Sequence, residues 1–337
     1  MTEAGWVLGV DIGGTNLSVG LVPRSGGAPA RRLVRPTDAS RGGEAVTDTV
    51  VDLLRKVMDE AGVDPERDVA GIGIGCPGPL DRASGLVLTT PNLGWKNFPV
   101  RDLIAEPLGL PAVLDNDANC ATYGEWWMGA GRGVQTLVGL TVGTGVGGGI
   151  VLGGKVLHGA SDAAGELGHM TINYGGRRCK CGNYGCLEAY ASGPNIASRA
   201  VEGIEAGEPS SLPDLVEGDL GRITAETVFE AVLAGDAFAS GVLLETARYL
   251  GVGLANLINL VNPEVVVIAG GVTRAGDALL DPLRAEVRRR AFLPAVSACR
   301  IMAAQLGADA GVIGAAGIFL AHHGALGERS DPGSAGP

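Results

Sequence analysis

The most specific chemistry in the chain lies between His169 and Cys186. His169, Cys179, Cys181 and Cys186 put one imidazole and three thiols within 18 positions, a closed tetrahedral donor set for zinc. With every coordination position taken by protein, such a zinc is structural, and it would pin the loop carrying Glu166 and Glu188. Two glycine-rich turns come next. Asp11-Ile12-Gly13-Gly14-Thr15 and Gly143-Thr144-Gly145-Val146-Gly147-Gly148-Gly149 each bear a hydroxyl and present successive backbone amides that can cradle a phosphate. A plain β-turn is the alternative reading of each. Asp115-Asn116-Asp117-Ala118-Asn119 stands between a short strand and a helical stretch. It reads either as a helix N-cap or as a carboxylate, kept ionised by the helix N-terminus, that accepts a substrate hydroxyl proton. Asn116, Asp117, Glu166 and Glu188 are together acceptors and donors suited to the adjacent hydroxyls of a sugar, while each Glu taken singly reads as a solvated surface charge.

The elements that must position these residues alternate between strand and helix. Apolar runs at Trp6–Val10 and Leu17–Val22 flank the first glycine turn as strands, and Leu137–Val142 and Ile150–Leu152 flank the second. The spacing of Val46, Val50, Leu53, Leu54, Val57 and Met58 predicts a helix over Glu44–Ala61, stopped by Gly62. Val69–Gly75 and Pro111–Leu114 read as strands, and Thr246–Val261 as a buried helix before the β-branched strand Glu264–Ile268. Gly311–His323 is expected to be the final helix. The order is that of an α/β fold, with two glycine hairpins about 130 residues apart suggesting duplicated halves facing one ligand.

Two tempting motifs fail on context. Gly143-x-Gly145-x-x-Gly148 matches a dinucleotide fingerprint, yet a hairpin follows where a helix is required. Gly149–Lys155 approaches a P-loop, but Val156 occupies the place of the metal-binding hydroxyl. The chain has 337 residues, a formal charge of −11 and 46% hydrophobic residues, which exclude a disordered chain and argue against nucleic acid as partner. Met1–Gly14 has no cationic leader and no apolar run reaches the roughly 20 residues of a membrane span. A cytoplasmic protein with no membrane association is expected, and its clustered cysteines fit a reducing compartment. His158, His322 and His323 are not catalytic candidates.

The combination Asp11-Ile12-Gly13-Gly14-Thr15, Pro91-Asn92-Leu93, Asn116-Asp117-Ala118-Asn119, Gly143-Thr144-Gly145-Val146-Gly147, Glu166-Leu167-Gly168-His169, the Cys179–Glu188 segment and Ala269-Gly270-Gly271 resembles the ROK family of sugar kinases and repressors, and is most similar to its glucokinase branch. The resemblance implies an actin-like, hexokinase-like (ribonuclease H-like) α/β fold of two domains with a central ligand cleft. On that reading the domains are a small one, 1–117, to which helix 311–324 returns, and a large one, 118–310, with a flexible tail, 325–337. It implies that Asp11, Gly13, Gly14, Thr15, Thr144 and Gly145 meet Mg·ATP, that Gly270 and Gly271 lie against adenosine, and that Asn92, Asn116, Asp117, Glu166, His169 and Glu188 hold the sugar. His169, Cys179, Cys181 and Cys186 would bind zinc. The implied reaction is phosphorylation of glucose at its 6-hydroxyl with Asp117 as general base. Fructose, mannose or N-acetylmannosamine are the alternative acceptors, and polyphosphate is a possible additional donor. A sugar-responsive repressor is the competing class, against which the early start of the first strand, at Trp6, leaves little room for a DNA-binding module. A homodimer or higher homo-oligomer is expected from the resemblance. Asp115 stands where these kinases often carry Glu, and Glu202–Gly221 reads as a loop without an assigned role.

Overall fold

A computed structural model describes residues 4–90 and 92–326. The tail expected at 325–337 falls outside the described residues from 327 onward, as does Pro91. The chain forms two compact units: the described residues up to Trp127 together with those from Asp309, and Met128–Ala308. The sequence-based boundary at 117 lies ten residues earlier, because the helix Asp117–Trp127 packs on the C-terminal helix Ala310–His322 and so belongs with the first unit.

The first unit is built on a five-stranded sheet with the spatial order Arg31–Pro36, Asn16–Pro23, Trp6–Ile12, Val69–Cys76, Ala112–Asn116. Its first three strands are antiparallel and the last two run parallel to Trp6–Ile12. The helix Gly43–Ala61 buries the predicted stripe of Val46, Val50, Leu53, Leu54, Val57 and Met58, and Gly62 ends it in the left-handed region at φ 64°, where glycine pays no Cβ penalty. The other sheet face receives Ala310–His322, a helix buried on nearly every side and correspondingly apolar all round. It lies so close that a Cβ on Gly9 would sit 2.1 Å from Val312 O, and one on Gly73 1.8 Å from Ala315 O. A small three-stranded sheet of Leu80–Asp81, Leu86–Thr90 and Trp95–Phe98 is attached, with Asn92 in its last turn.

The second unit repeats the same topology. Its sheet runs Lys155–Val156, Val146–Leu152, Leu137–Val142, Val265–Ala269, Arg300–Ala303, again with three antiparallel strands followed by two parallel ones. Twice the chain therefore makes an antiparallel meander and then adds parallel strands through helical crossovers, the ribonuclease H-like pattern. The glycine run departs from expectation. Gly147–Gly149 pair with Thr141–Gly139 inside the strand Val146–Leu152, so the turn itself spans only Gly143–Gly145. The buried helix also begins earlier than Thr246, running Ala237–Val261, because Asp236 caps it by accepting the Ala239 amide at 2.8 Å. Glu202–Gly221 is not one loop. It opens in the helix Gly193–Glu205, contains the short helix Leu212–Leu215, and sends Leu212 and Val216 into the core. No helix among the described residues is long and apolar enough to cross a membrane.

Candidate active site and metal centre

In the first unit the glycine turn is closed by the Gly13 amide donating to Asn16 O at 2.9 Å. It is braced by Thr37, whose hydroxyl donates to Gly13 O at 2.7 Å and whose amide donates to Thr15 O at 2.9 Å. Gly14 and Thr15 are left exposed. The Asn92 turn comes up beside them: a Cβ on Gly14 would lie 3.5 Å from the Asn92 Cβ. Asn116 acts as the cap of the helix Asp117–Trp127, its Oδ1 accepting the amides of Ala118 at 2.9 Å and Asn119 at 3.2 Å. The cap reading thus falls on Asn116 and not on Asp117. Asp117 Oδ1 takes the Ala118 amide at 2.9 Å.

Asp115, buried to 1% exposure, anchors this segment. Its Oδ2 meets Arg82 Nε at 3.1 Å, and its Oδ1 accepts from Asn119 Nδ2 at 3.0 Å. Arg82 stands at the start of the small sheet that carries Asn92, so the pair ties the Asn92 hairpin to the Asn116-Asp117 segment. Sequence reasoning missed this role. An acid directly before Asn-Asp at a strand end was visible, but its partner, 33 positions away, was not.

Asp11 is the next-to-last residue of the first strand, beside the turn. Burial, then the neighbouring Asp117 carboxylate, push its pKa from 3.8 up to about 7, with Arg32 pulling the other way. Two acids that feel each other's charge beside an amide-lined turn favour a bound cation, which relieves both burial and repulsion. The raised pKa has a stability consequence. Between about pH 4 and pH 7 the folded protein holds a proton that the unfolded chain releases, so stability falls as pH rises through that window and stays lower above it. Asp11→Asn should therefore be more stable than the parent at pH 8, by about 1–3 kcal/mol after allowance for residual solvent access. The gain should vanish by about pH 4. Urea unfolding at both pH values checks this, and an equal or lower midpoint for the variant at pH 8 would refute it.

In the second unit the turn is closed by the Gly143 amide donating to Gly145 O at 2.9 Å, and Gly193 N holds Gly143 O at 2.7 Å. Thr144 is exposed at its tip. From there a cavity of about 480 Å³ extends, lined by Thr144, Pro194, Glu226, Phe229, Gly271 and Val272 among others. Its largely apolar wall beside an amide-rich turn suits a flat base joined to phosphates. Gly271 lines this cavity. Gly270 lies just behind it, packed against Val142.

The four candidate metal ligands converge. The ligand atoms of His169, Cys179, Cys181 and Cys186 all lie within 4.8 Å of one another. Cys181 Sγ is 3.7 Å from Cys186 Sγ, and Cys179 Sγ is 3.9 Å from His169 Nδ1. Ligands at roughly 2.3 Å in a tetrahedron stand about 3.8 Å apart, so the four fit a zinc ion. Burial pushes the Cys186 thiol up to about 12 and raises that of Cys179, an environment in which thiolates need a cation. The segment is held by the Cys179 amide donating to Asn183 O at 2.8 Å and by Tyr190 Oη, which accepts the Arg177 amide at 2.7 Å. Nδ1 is the histidine nitrogen turned to sulfur, which leaves Nε2 for another partner. Glu166 lies exposed in the same turn, its carbonyl accepting the His169 amide at 3.1 Å. Glu188 Oε2 accepts the Val146 amide at 3.0 Å.

Residues 7–322 match the ROK family. The chain belongs to the ROK family. A relative from Halalkalibacterium halodurans, named glucokinase, is 42% identical over 92% of this chain and 93% of its own length. A xylose repressor from Caldicellulosiruptor bescii is 35% identical over 80% of this chain and 67% of its own. Among solved structures, a ROK glucokinase from Streptomyces griseus in complex with glucose and AMPPNP has a TM-score of 0.79 and 35% identity, covering 93% of this chain and 99% of that one. ROK membership establishes the actin-like, hexokinase-like fold expected from the sequence.

Proposed function

We propose that this chain is a sugar kinase that transfers the γ-phosphoryl group of Mg·ATP to the 6-hydroxyl of glucose. Its similarity to glucokinases over nearly the whole chain supports the reaction class. The observation that carries the mechanism is the pairing of Asp11 and Asp117 beside the first glycine turn, close enough for one charge to raise the other's pKa. Asp117 takes the hydroxyl proton as the bond from O6 to the γ-phosphorus forms and the bond from that phosphorus to the β,γ-bridging oxygen breaks, releasing ADP. Asp11 helps to place the Mg²⁺ that arrives with the nucleotide.

The amides of Gly14, Thr15, Thr144 and Gly145 and the two threonine hydroxyls offset phosphate charge, with Gly13 shaping the first turn through its own amide on Asn16 O, which lets a protein of net charge −11 hold ATP. Gly270 and Gly271 form the adenosine end. Asn92, Asn116, Asp117, Glu166, His169 and Glu188 hold the sugar. Positioning and electrostatics supply most of the rate, because the transition state is loose and its charge is spread over several oxygens. Zinc on His169, Cys179, Cys181 and Cys186 serves to fix the orientation of His169 and of the loop that bears Glu166 and Glu188.

The test measures sugar-phosphate formation by metal-replete protein over glucose, fructose, mannose and N-acetylmannosamine, with ATP or polyphosphate as donor and ADP release followed in the ATP arm. The expected result is the highest kcat/KM for glucose with ATP. A different preferred hexose would correct the acceptor alone. Absence of sugar-phosphate formation across the panel with either donor would overturn the kinase reading and favour the sugar-sensing role of the repressor relatives.

A further inference from the structure

Glu188 has contacts that sugar binding does not require. Its Oε2 accepts the backbone amide of Val146 at 3.0 Å, directly behind the second glycine turn. The same oxygen would lie 2.7 Å from a Cβ on Gly145, so the carboxylate fills the space where a side chain would otherwise stand. Its Oε1 lies 3.8 Å from Cys179 Sγ. Its carbonyl is held by Asn195 Nδ2 at 2.9 Å, and five residues later Gly193 N donates to Gly143 O at 2.7 Å. The segment leaving the last cysteine is therefore stitched to the phosphate turn at both ends, at Val146 by a side chain and at Gly143 by the backbone. A negative charge placed under a turn meant for phosphates is unfavourable unless its geometry is needed. Val146 is buried, so its amide requires an acceptor.

We propose that Glu188 is a positioning residue for the nucleotide: it sets the shape of the Gly143–Gly145 turn and links that turn to the cysteine loop. This rests on the reading of the turn as a phosphate site and goes beyond the sugar contact assigned to the same residue. Because the tie is made within the protein, it operates with no sugar present. A residue that touched only sugar would leave the sugar-free nucleotide site unchanged.

The experiment compares the zinc-loaded parent with Glu188→Ala, Glu188→Gln and Gly145→Ala, each checked for zinc content and thermal unfolding. Two quantities are read without sugar: hydrogen exchange of the segment containing Val146, and the Kd of Mg·AMPPNP. Loss of a buried acceptor should speed exchange and weaken nucleotide binding about tenfold in Glu188→Ala, and Glu188→Gln, whose side-chain carbonyl still accepts the amide, should stay within about threefold of the parent. Gly145→Ala, which keeps Glu188 but displaces its oxygen, should resemble Glu188→Ala in both readouts. Parental exchange at Val146 in Glu188→Ala would overturn the proposal, as would parental nucleotide affinity in both Glu188→Ala and Gly145→Ala. A parent protein that binds no nucleotide would instead defeat the phosphate reading of the turn, while the exchange data still decide whether Glu188 shapes it.

Discussion

Replacing Asp117 by Asn should lower kcat for hexose phosphorylation by about 10²- to 10⁴-fold, the usual contribution of a positioned general base, with sugar affinity little changed. Asn is nearly isosteric and its side-chain carbonyl can still accept the Ala118 amide that Asp117 Oδ1 accepts at 2.9 Å. The cap is also kept, because it belongs to Asn116. Removal of the negative charge leaves the substrate hydroxyl without a proton acceptor in the transition state, so the loss falls on kcat. A second readout follows from the charge coupling. Asp117 is among the causes that push Asp11 up to about 7, so the Asp11 pKa should fall in Asp117→Asn, visible as a shift of its carbonyl resonance in a carbon-labelled sample. Steady-state rates combined with calorimetric titration of sugar test the main claim. Turnover within a few-fold of the parent would remove Asp117 from the role of base.

Loss of the metal should have the other large effect. The protein as isolated should contain about one equivalent of zinc per chain, and its removal by chelation, or replacement of Cys186 by Ala, should raise the sugar KM by at least about 10²-fold and lower the unfolding temperature. Zinc binding to a closed cysteine-histidine site contributes an apparent ~10–16 kcal/mol in small peptides, and here the backbone around the site is otherwise held by a few turns. Cys181 is exposed and Cys179 and Cys186 are buried. Without a cation, burial favours the protonated form of Cys179 and Cys186, and the shared tie from the thiols to His169 is lost. His169 and Glu188, both assigned to the sugar, would lose their orientation together, which is why affinity should suffer more than a single lost hydrogen bond predicts. Elemental analysis, thermal unfolding and KM before and after chelation decide the matter. Metal-free protein with parental sugar affinity would refute the structural role.

Much of the site was legible in the sequence because its chemistry is local. A Cys-x-Cys spacing, a glycine pair before a threonine, and Asn-Asp at a strand end each fix a backbone shape within a few residues, and short-range geometry needs no distant partner. The helices with a clear apolar stripe were legible for the same reason, as in Val46 to Met58. The glycine run 147–149 was misread because glycine ordinarily disfavours strands. Its pairing with Thr141–Gly139 comes from the neighbouring strand, not from its own preference. The missed first turns of the Ala237–Val261 helix depended on one cap, Asp236.

The amino-acid order by itself thus determined where the two glycine turns begin, the histidine and three cysteines that come together, the acid at the helix start and the alternation of strand and helix. The tertiary structure decided which of these share a neighbourhood. It brought Asp11 within the field of Asp117, Arg82 onto Asp115, Glu188 onto Val146, and a cavity onto Thr144 and Gly271. Those pairings join residues 33 to 127 positions apart. Their physical reason is burial: an acid or an amide taken from water must find its partner wherever the packed sheets and helices put one, and that place is set by the whole core, not by the residues on either side.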